Sequence, residues 1–216
     1  MKKSKLIITG AKFLYIRKII NACSSLIVLS ILARQISVES FGIVAIATTI
    51  MAFNIAVGDA TIKKYLIYTD DNSDKLLQSS FWLNMILTLI SSLVYFFLAE
   101  PIAIYFDEPI LKDIIFVLLA IFIVNQITVV PNAILEKKLD FKTIASRDIF
   151  ISLLGSVIGI YMALSDFGIW ALVIPNLITS PILLLITMMA AKWHPKLYLY
   201  KLYWKDILKY TLPLIG

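Results

Sequence analysis

The chain has 216 residues, 60% of them hydrophobic and 16% charged, with a mean hydropathy of +0.90. A soluble domain of this length cannot cover so many apolar side chains, because small domains leave a large share of their surface in water. The formal net charge of +6 would suit nucleic acid, but the charges lie between apolar runs and not on them, so no nucleic-acid partner is expected. The lone cysteine, Cys23, excludes an intrachain disulfide and a cysteine-based zinc cluster.

Lys2, Lys3 and Lys5 open the chain, but Arg17 and Lys18 interrupt the next stretch and no small-residue cleavage site ends a short apolar core. No removable signal peptide is expected. Charge-free stretches then run over 19–33, 40–58, 76–99, 114–135, 149–165 and 167–191. A helix needs roughly 20 apolar residues to cross about 30 Å of hydrocarbon. The first and fifth runs are short, and reach that length when extended through Arg17 and Arg147, whose long side chains can reach the interface. The spans so read are 13–34, 41–62, 76–99, 114–135, 146–165 and 167–191. They must be helices, since hydrocarbon leaves unpaired backbone groups unsatisfied and the runs lack the alternation of barrel strands. The fold class is therefore an all-α membrane protein.

The connections set the orientation. The leading segment (Lys2 to Lys18), the second connection (Lys63, Lys64, Lys75), the fourth (Lys137, Lys138, Lys142, Arg147) and the sixth (Lys192 to Lys209) hold 18 of the 20 basic residues. Only Arg34 and Lys112 lie in the others. Basic connections stay in the cytoplasm, so the N-terminus is expected inside. The third connection, Glu100-Pro-Ile-Ala-Ile-Tyr-Phe-Asp-Glu-Pro, is acidic and carries two prolines, as suits an outside turn. Residues 1–205 read as a six-helix lobe, and 206–216 as the start of a seventh helix that is cut short, since an apolar run opens at Tyr210. The stretch from Lys192 to Lys209 interleaves lysine with tryptophan and tyrosine, the pattern of an amphipathic segment lying on an anionic leaflet.

Three stretches are familiar together: Ile31-Leu-Ala-Arg-Gln-Ile-Ser-Val-Glu-Ser-Phe-Gly-Ile-Val-Ala, Val130-Pro-Asn-Ala-Ile-Leu-Glu-Lys-Lys-Leu-Asp-Phe-Lys-Thr-Ile-Ala and Asp166-Phe-Gly-Ile-Trp-Ala-Leu-Val. With Trp193-His-Pro-Lys-Leu and Tyr210-Thr-Leu-Pro-Leu, their order and spacing resemble the bacterial polysaccharide transporter family. This family comprises the O-antigen and exopolysaccharide flippases of the multidrug/oligosaccharidyl-lipid/polysaccharide exporter superfamily. The resemblance implies a transporter of twelve to fourteen helices in two six-helix lobes around a central cavity, with this chain as the N-terminal lobe and the C-terminal lobe missing. It implies an undecaprenyl-diphosphate-linked oligosaccharide as substrate, moved across the inner membrane by alternating access in lipopolysaccharide or exopolysaccharide biosynthesis. Membrane lipid, a polysaccharide polymerase and glycosyltransferases are the other partners it implies.

Polar groups inside spans are costly and usually face a bundle interior or water, so they are the functional candidates. On the first span Arg17, Asn21 and Ser24 or Ser25 recur at helical spacing. The planar donor fork of Arg17 matches a diphosphate, and the plainer reading is a side chain snorkelling to headgroups. On the second span, Asn54 joins the substrate-binding candidates. Asp59 there could carry an ion that couples transport, or pair with Lys63 four residues on. On the fourth, Asn125, Thr128, Asn132 and Glu136 share a face that Pro131 interrupts, either lining a cavity or hydrogen-bonding between helices. Asn176, Ser180 and Thr187 repeat the pattern on the sixth beside Pro175 and Pro181. Gly155 and Gly159 read as close helix packing.

One histidine, His194, argues no metal site. The chain shows no glycine-rich phosphate loop, no zinc-ligand spacing and no catalytic triad, so neither an enzyme nor a cofactor is expected. The rival readings are a cation-coupled multidrug antiporter of the same superfamily, in which Asp59 would dominate, and a non-transporting scaffold of an envelope assembly complex.

Overall fold

The computed structural model describes residues 2–196 and 203–211, with the side chains of 2–9, 11, 53–61, 208, 210 and 211 outside that description. Among the described residues the chain is helical throughout, with no strand. The helices are α1 (Lys2–Gln35), α2 (Val38–Tyr68), α3 (Asp74–Tyr105), α4 (Ile110–Ile127), α5 (Val129–Lys137), α6 (Phe141–Leu164), α7 (Trp170–Ala191) and α8 (Trp204–Thr211).

Short polar side chains start several of these helices. Ser37, Ser73 and Asp140 sit outside the helical backbone region, and each accepts from the N–H three residues on, satisfying a donor that the first turn leaves orphaned. The ends are equally local. Asp107, Leu139, Asp166 and Lys192 follow α3, α5, α6 and α7 with φ between 53° and 59°. In this left-handed conformation the next N–H turns back onto the helix, as Glu108 does to the carbonyl of Ala103 at 3.0 Å and Asp140 to that of Leu135 at 3.1 Å. In the turn between α2 and α3, the N–H and hydroxyl of Ser73 donate to Asp71 and hold its carboxyl below the usual range.

The third connection is shorter than the sequence suggests. Glu100 to Tyr105 stay helical with Pro101 inside α3, and only residues 106–109 turn. Buried Ala99 and Ala103 hold this last stretch against the bundle, and that packing outweighs the lost N–H of Pro101. The fourth span is broken close to its proline. At Thr128 the backbone tightens to a bond from its N–H to the Asn125 carbonyl, and Pro131 has no N–H to offer Ile127.

α4 is the centre of the bundle, packed on α2, α3 and α7, while α6 joins α7 to α1. One core runs through Leu111, Ile114, Ile115 and Phe122 of α4; a second gathers Ile62, Leu76, Val130, Leu135 and Ile207; a third joins Leu32 and Ile36 to Met162 and Ala171. Gly10 lets α1 approach α6, since a Cβ there would lie 2.5 Å from the Phe141 ring.

The polarity of α3 is reversed from that of a soluble helix. Its buried residues include Ser80, Asn84, Thr88 and Ser92, four apart, while Leu89, Ile90, Leu93, Val94, Phe96 and Phe97 are exposed. An apolar exterior around a polar interior is stable only when the surroundings are hydrocarbon. Five helical stretches are long and apolar enough to cross a membrane: Lys12–Gln35, Asp74–Tyr105, Ile110–Lys137, Phe141–Leu164 and Trp170–Ala191. α2 adds a shorter apolar segment, Val38–Ala52. The chain is a multi-pass helical membrane protein.

Residues 193–196, just after α7, do not lie free on a leaflet. Trp193 and Lys196 donate to Asp74, Gln78 bonds both the His194 carbonyl and the Lys196 N–H, and Trp82 donates to the Lys196 carbonyl at 2.8 Å. Asp74, Gln78 and Trp82 are four residues apart, so one face of α3 holds residues 193–196. Ile207 of α8 is fully buried in the core shared by α2, α3 and α5. Residues 197–202 and 212–216, where the amphipathic segment and the seventh helix are expected to continue, lie outside the described residues.

Candidate functional site

The bundle interior carries one connected polar group near the ends that bear the lysines. Arg147, on the first turns of α6, is only 7% exposed. It does not extend to the interface, as its position in the sequence suggests, but turns inward. Its Nη1 donates to Asn132 Oδ1 at 2.7 Å and to Thr187 Oγ1 at 2.8 Å, and its Nε to Asp148 Oδ1 at 3.0 Å. A buried guanidinium is tolerable only with such a set of acceptors, because its desolvation is otherwise uncompensated. Asp148 Oδ2 in turn takes Arg17 of α1. Two guanidiniums thus share one carboxylate, one on each oxygen.

Asn132 continues the chain of contacts. Its Nδ2 donates to Thr128 Oγ1 at 3.2 Å, and Thr128 donates to the Asn125 carbonyl at 2.6 Å. Asn125, Gln126, Thr128 and Asn132 line a cavity of about 330 Å³ between α2, α4, α5 and α7, with Thr48 and Lys63. The helix break places these residues. It turns the amides on both sides of Thr128 toward the same space, and the Oδ1 of Asn125 lies buried there with no hydrogen-bond partner among the described residues. Lys63 spans from α2 to Glu136 of α5 at 2.7 Å.

The sequence candidates are partly gathered. Arg17, Asn125 and Asn132 join one network or its cavity, and Asn21 lies one turn from Arg17 with a buried Oδ1 that has no partner among the described residues. Ser24 continues that stripe onto α6, 2.8 Å from Ser156, whereas Ser25 turns to its own helix at the Ala22 carbonyl. Asn176 is apart: it borders a separate groove of about 500 Å³ between α1, α6 and α7, whose floor includes Gly155 and Gly159. Added Cβ atoms at these glycines would meet Thr179 and Pro175 at 3.6 and 3.5 Å, ordinary contact for two helices lying close. The side chains of Asn54 and Asp59 lie outside the described residues.

Sequence reasoning missed Asp148 and the inward direction of Arg147, whereas Thr187, a candidate on the sixth span, does join the cluster. The usable signal is the pair Arg147-Asp148 at the head of an apolar run, where two adjacent charges are costly unless each finds a partner across the bundle. The Ser80, Asn84, Thr88, Ser92 stripe was equally readable from its spacing of four; Asn84 donates to the side chain of Gln126 at 3.2 Å and ties α3 to α4.

Comparison with known proteins identifies relatives of the chain. The profile of a family described as "Polysaccharide biosynthesis protein" matches residues 31–216. The succinoglycan biosynthesis transport protein ExoT of Rhizobium meliloti is 30% identical over 142 residues, covering 66% of this chain and 29% of that protein. The lipopolysaccharide biosynthesis protein WzxC of Escherichia coli is 28% identical over 137 residues, 63% of this chain and 28% of that protein. The matched region thus spans less than a third of either relative. No solved structure matches the chain.

Proposed function

Since the chain belongs to the polysaccharide biosynthesis protein family, we propose that it forms the first six-helix lobe of a two-lobe flippase. The substrate is an oligosaccharide on a polyprenyl diphosphate, undecaprenyl diphosphate in the expected case, carried across the bacterial inner membrane by alternating access. The N-terminus and the lysine-rich ends face the cytoplasm, where this substrate is assembled.

One observation carries the reading: inside an apolar bundle, two guanidiniums stand around a single carboxylate, next to a cavity lined with amides. The described side chains of that cluster sum to one excess positive charge. In a low-dielectric interior this favours an anionic group on the exposed side of Arg17. A diphosphate matches in charge and in fork geometry. Amides at Asn21, Asn125 and Asn132 are donors and acceptors suited to sugar hydroxyls; Asn54 extends the polar path, and Asn176 offers a further contact in the separate groove between α1, α6 and α7. Asp59 supplies the ion-coupling carboxylate. The lipid tail stays against the apolar outer faces of the helices.

Reconstituted with its second lobe in liposomes, the protein should move a fluorescent polyprenyl-diphosphate oligosaccharide between leaflets. Arg17→Gln should slow that movement more than tenfold at equal protein abundance. Absence of movement by the unaltered protein under any ion gradient overturns the proposal. Asp59-dependent efflux of hydrophobic cations in its place would move the protein to the multidrug antiporters.

A further inference from the structure

A carboxylate at Asp148 that only stabilised the bundle would be saturated by Arg147, which is buried beside it and bonds the same oxygen through Nε and Nη2 at 3.0 and 2.9 Å. Its other oxygen is committed to Arg17, a residue on a different helix whose side chain is 27% exposed. The two contacts differ in kind. Arg147 is fixed by Asp148, Asn132 and Thr187 together with its burial, so its share of the carboxylate is permanent. Arg17 meets the cluster through Asp148 alone among the described side chains and keeps part of its side chain exposed, so its contact with Asp148 is the one that can open.

We propose that Asp148 is an internal stand-in for the anionic group of the substrate. It occupies Arg17 in the empty carrier, yields it to the incoming diphosphate, and takes it back when the substrate leaves. This deepens the proposed function and rests on Arg17 as the diphosphate contact. The exchange keeps Arg17 paired with an anion in both the empty and the loaded carrier. An empty site with two unpaired guanidiniums in hydrocarbon would be costly, and a site holding diphosphate with no rival would release it slowly. Arg147 makes the exchange reversible, because it holds Asp148 in place while Arg17 is away. Asp148 is thus a positioning residue that sets the balance between capture and release.

The test is binding and transport by the two-lobe protein, with polyprenyl diphosphate as the binding probe and the fluorescent polyprenyl-diphosphate oligosaccharide as the transport probe. Asp148→Asn removes the competitor. It should lower the Kd for polyprenyl diphosphate about tenfold and lower the maximal transport rate by a similar factor, so that KM and kcat fall together. In an Arg17→Gln background the same change should leave Kd unaltered. A purely structural ion pair predicts the opposite, weaker binding in Asp148→Asn because Arg17 loses its support, and that result overturns the inference. If Asp148→Asn does not fold, the unaltered protein carrying ¹³C-carboxylate aspartate serves. Adding polyprenyl diphosphate should produce an isotope-shifted carboxylate band in infrared difference spectra, absent in Arg17→Gln. No such band would also overturn it. Failure of the unaltered protein to bind the probe at all would instead remove the proposed function.

Discussion

Arg147 shows how a single side chain changes meaning once its neighbours are known. In sequence it is a basic residue at the edge of an apolar run, and such residues usually mark the membrane interface. In the fold its three bonding partners lie on α5, α6 and α7. Arg147→Met would leave Asp148 with one guanidinium and strand the acceptors of Asn132 and Thr187, so it should lower stability by about 3 kcal/mol, the scale of a broken buried ion pair. Lys112→Met is the contrast. It removes an ion pair with Glu100 that is exposed at the surface, and such pairs are worth about 0.5 kcal/mol or less. Chemical unfolding in detergent micelles should separate the two variants clearly, and equal losses would mean that Arg147 is not held as described. The adjacent Arg147-Asp148 pair signals in the sequence that partners are needed, but the inward direction follows only once the facing helices supply the acceptors.

At the scale of elements, the sequence was most informative where local chemistry decides. Pro131 marks the break between α4 and α5, and the serine and aspartate caps mark helix starts. It was less informative where packing decides, as at Pro101, which reads as a turn and lies in a helix. The break at Thr128 is a functional feature if it aims Asn125 and Asn132 into one cavity. Pro131→Ala would return an N–H to the Ile127 carbonyl, letting the two helices run on as one. The variant should therefore unfold at the same temperature as the parent or higher, yet transport the lipid-linked sugar at least tenfold more slowly as the amides and Glu136 rotate away from Arg147 and Lys63. Unchanged transport with raised stability would show that the break is incidental. The trade is expected because functional sites retain local defects that stability alone would remove.

Over the whole molecule, the alternation of charge along the sequence becomes an asymmetry in space. Lys137 of α5 donates to the carbonyls of Thr69 and Asp71 at 2.6 and 3.2 Å, and Gln78 of α3 bonds the segment after α7, so the lysine-rich connections gather at one end. At the other end Leu32 and Ile36 of α1 pack with Met162 and Ala163 of α6 and Ala171 of α7. This division was legible from the apolar runs and the lysine count, because both are fixed by the solvent and need no knowledge of which helices touch. Which compartment each end faces is a matter of membrane insertion, and labelling decides it. In a Cys23→Ala background, a cysteine at Asn72, exposed between α2 and α3, should react with an impermeant maleimide only in inverted vesicles. A cysteine at Val38, 87% exposed beside the α1–α2 connection, should react only in intact spheroplasts. The reverse pattern would turn Arg17 and its partners toward the periplasm, away from the leaflet where the lipid diphosphate is made. Labelling of both from one side would mean that α2 does not cross, and no arrangement of a six-helix lobe survives that result.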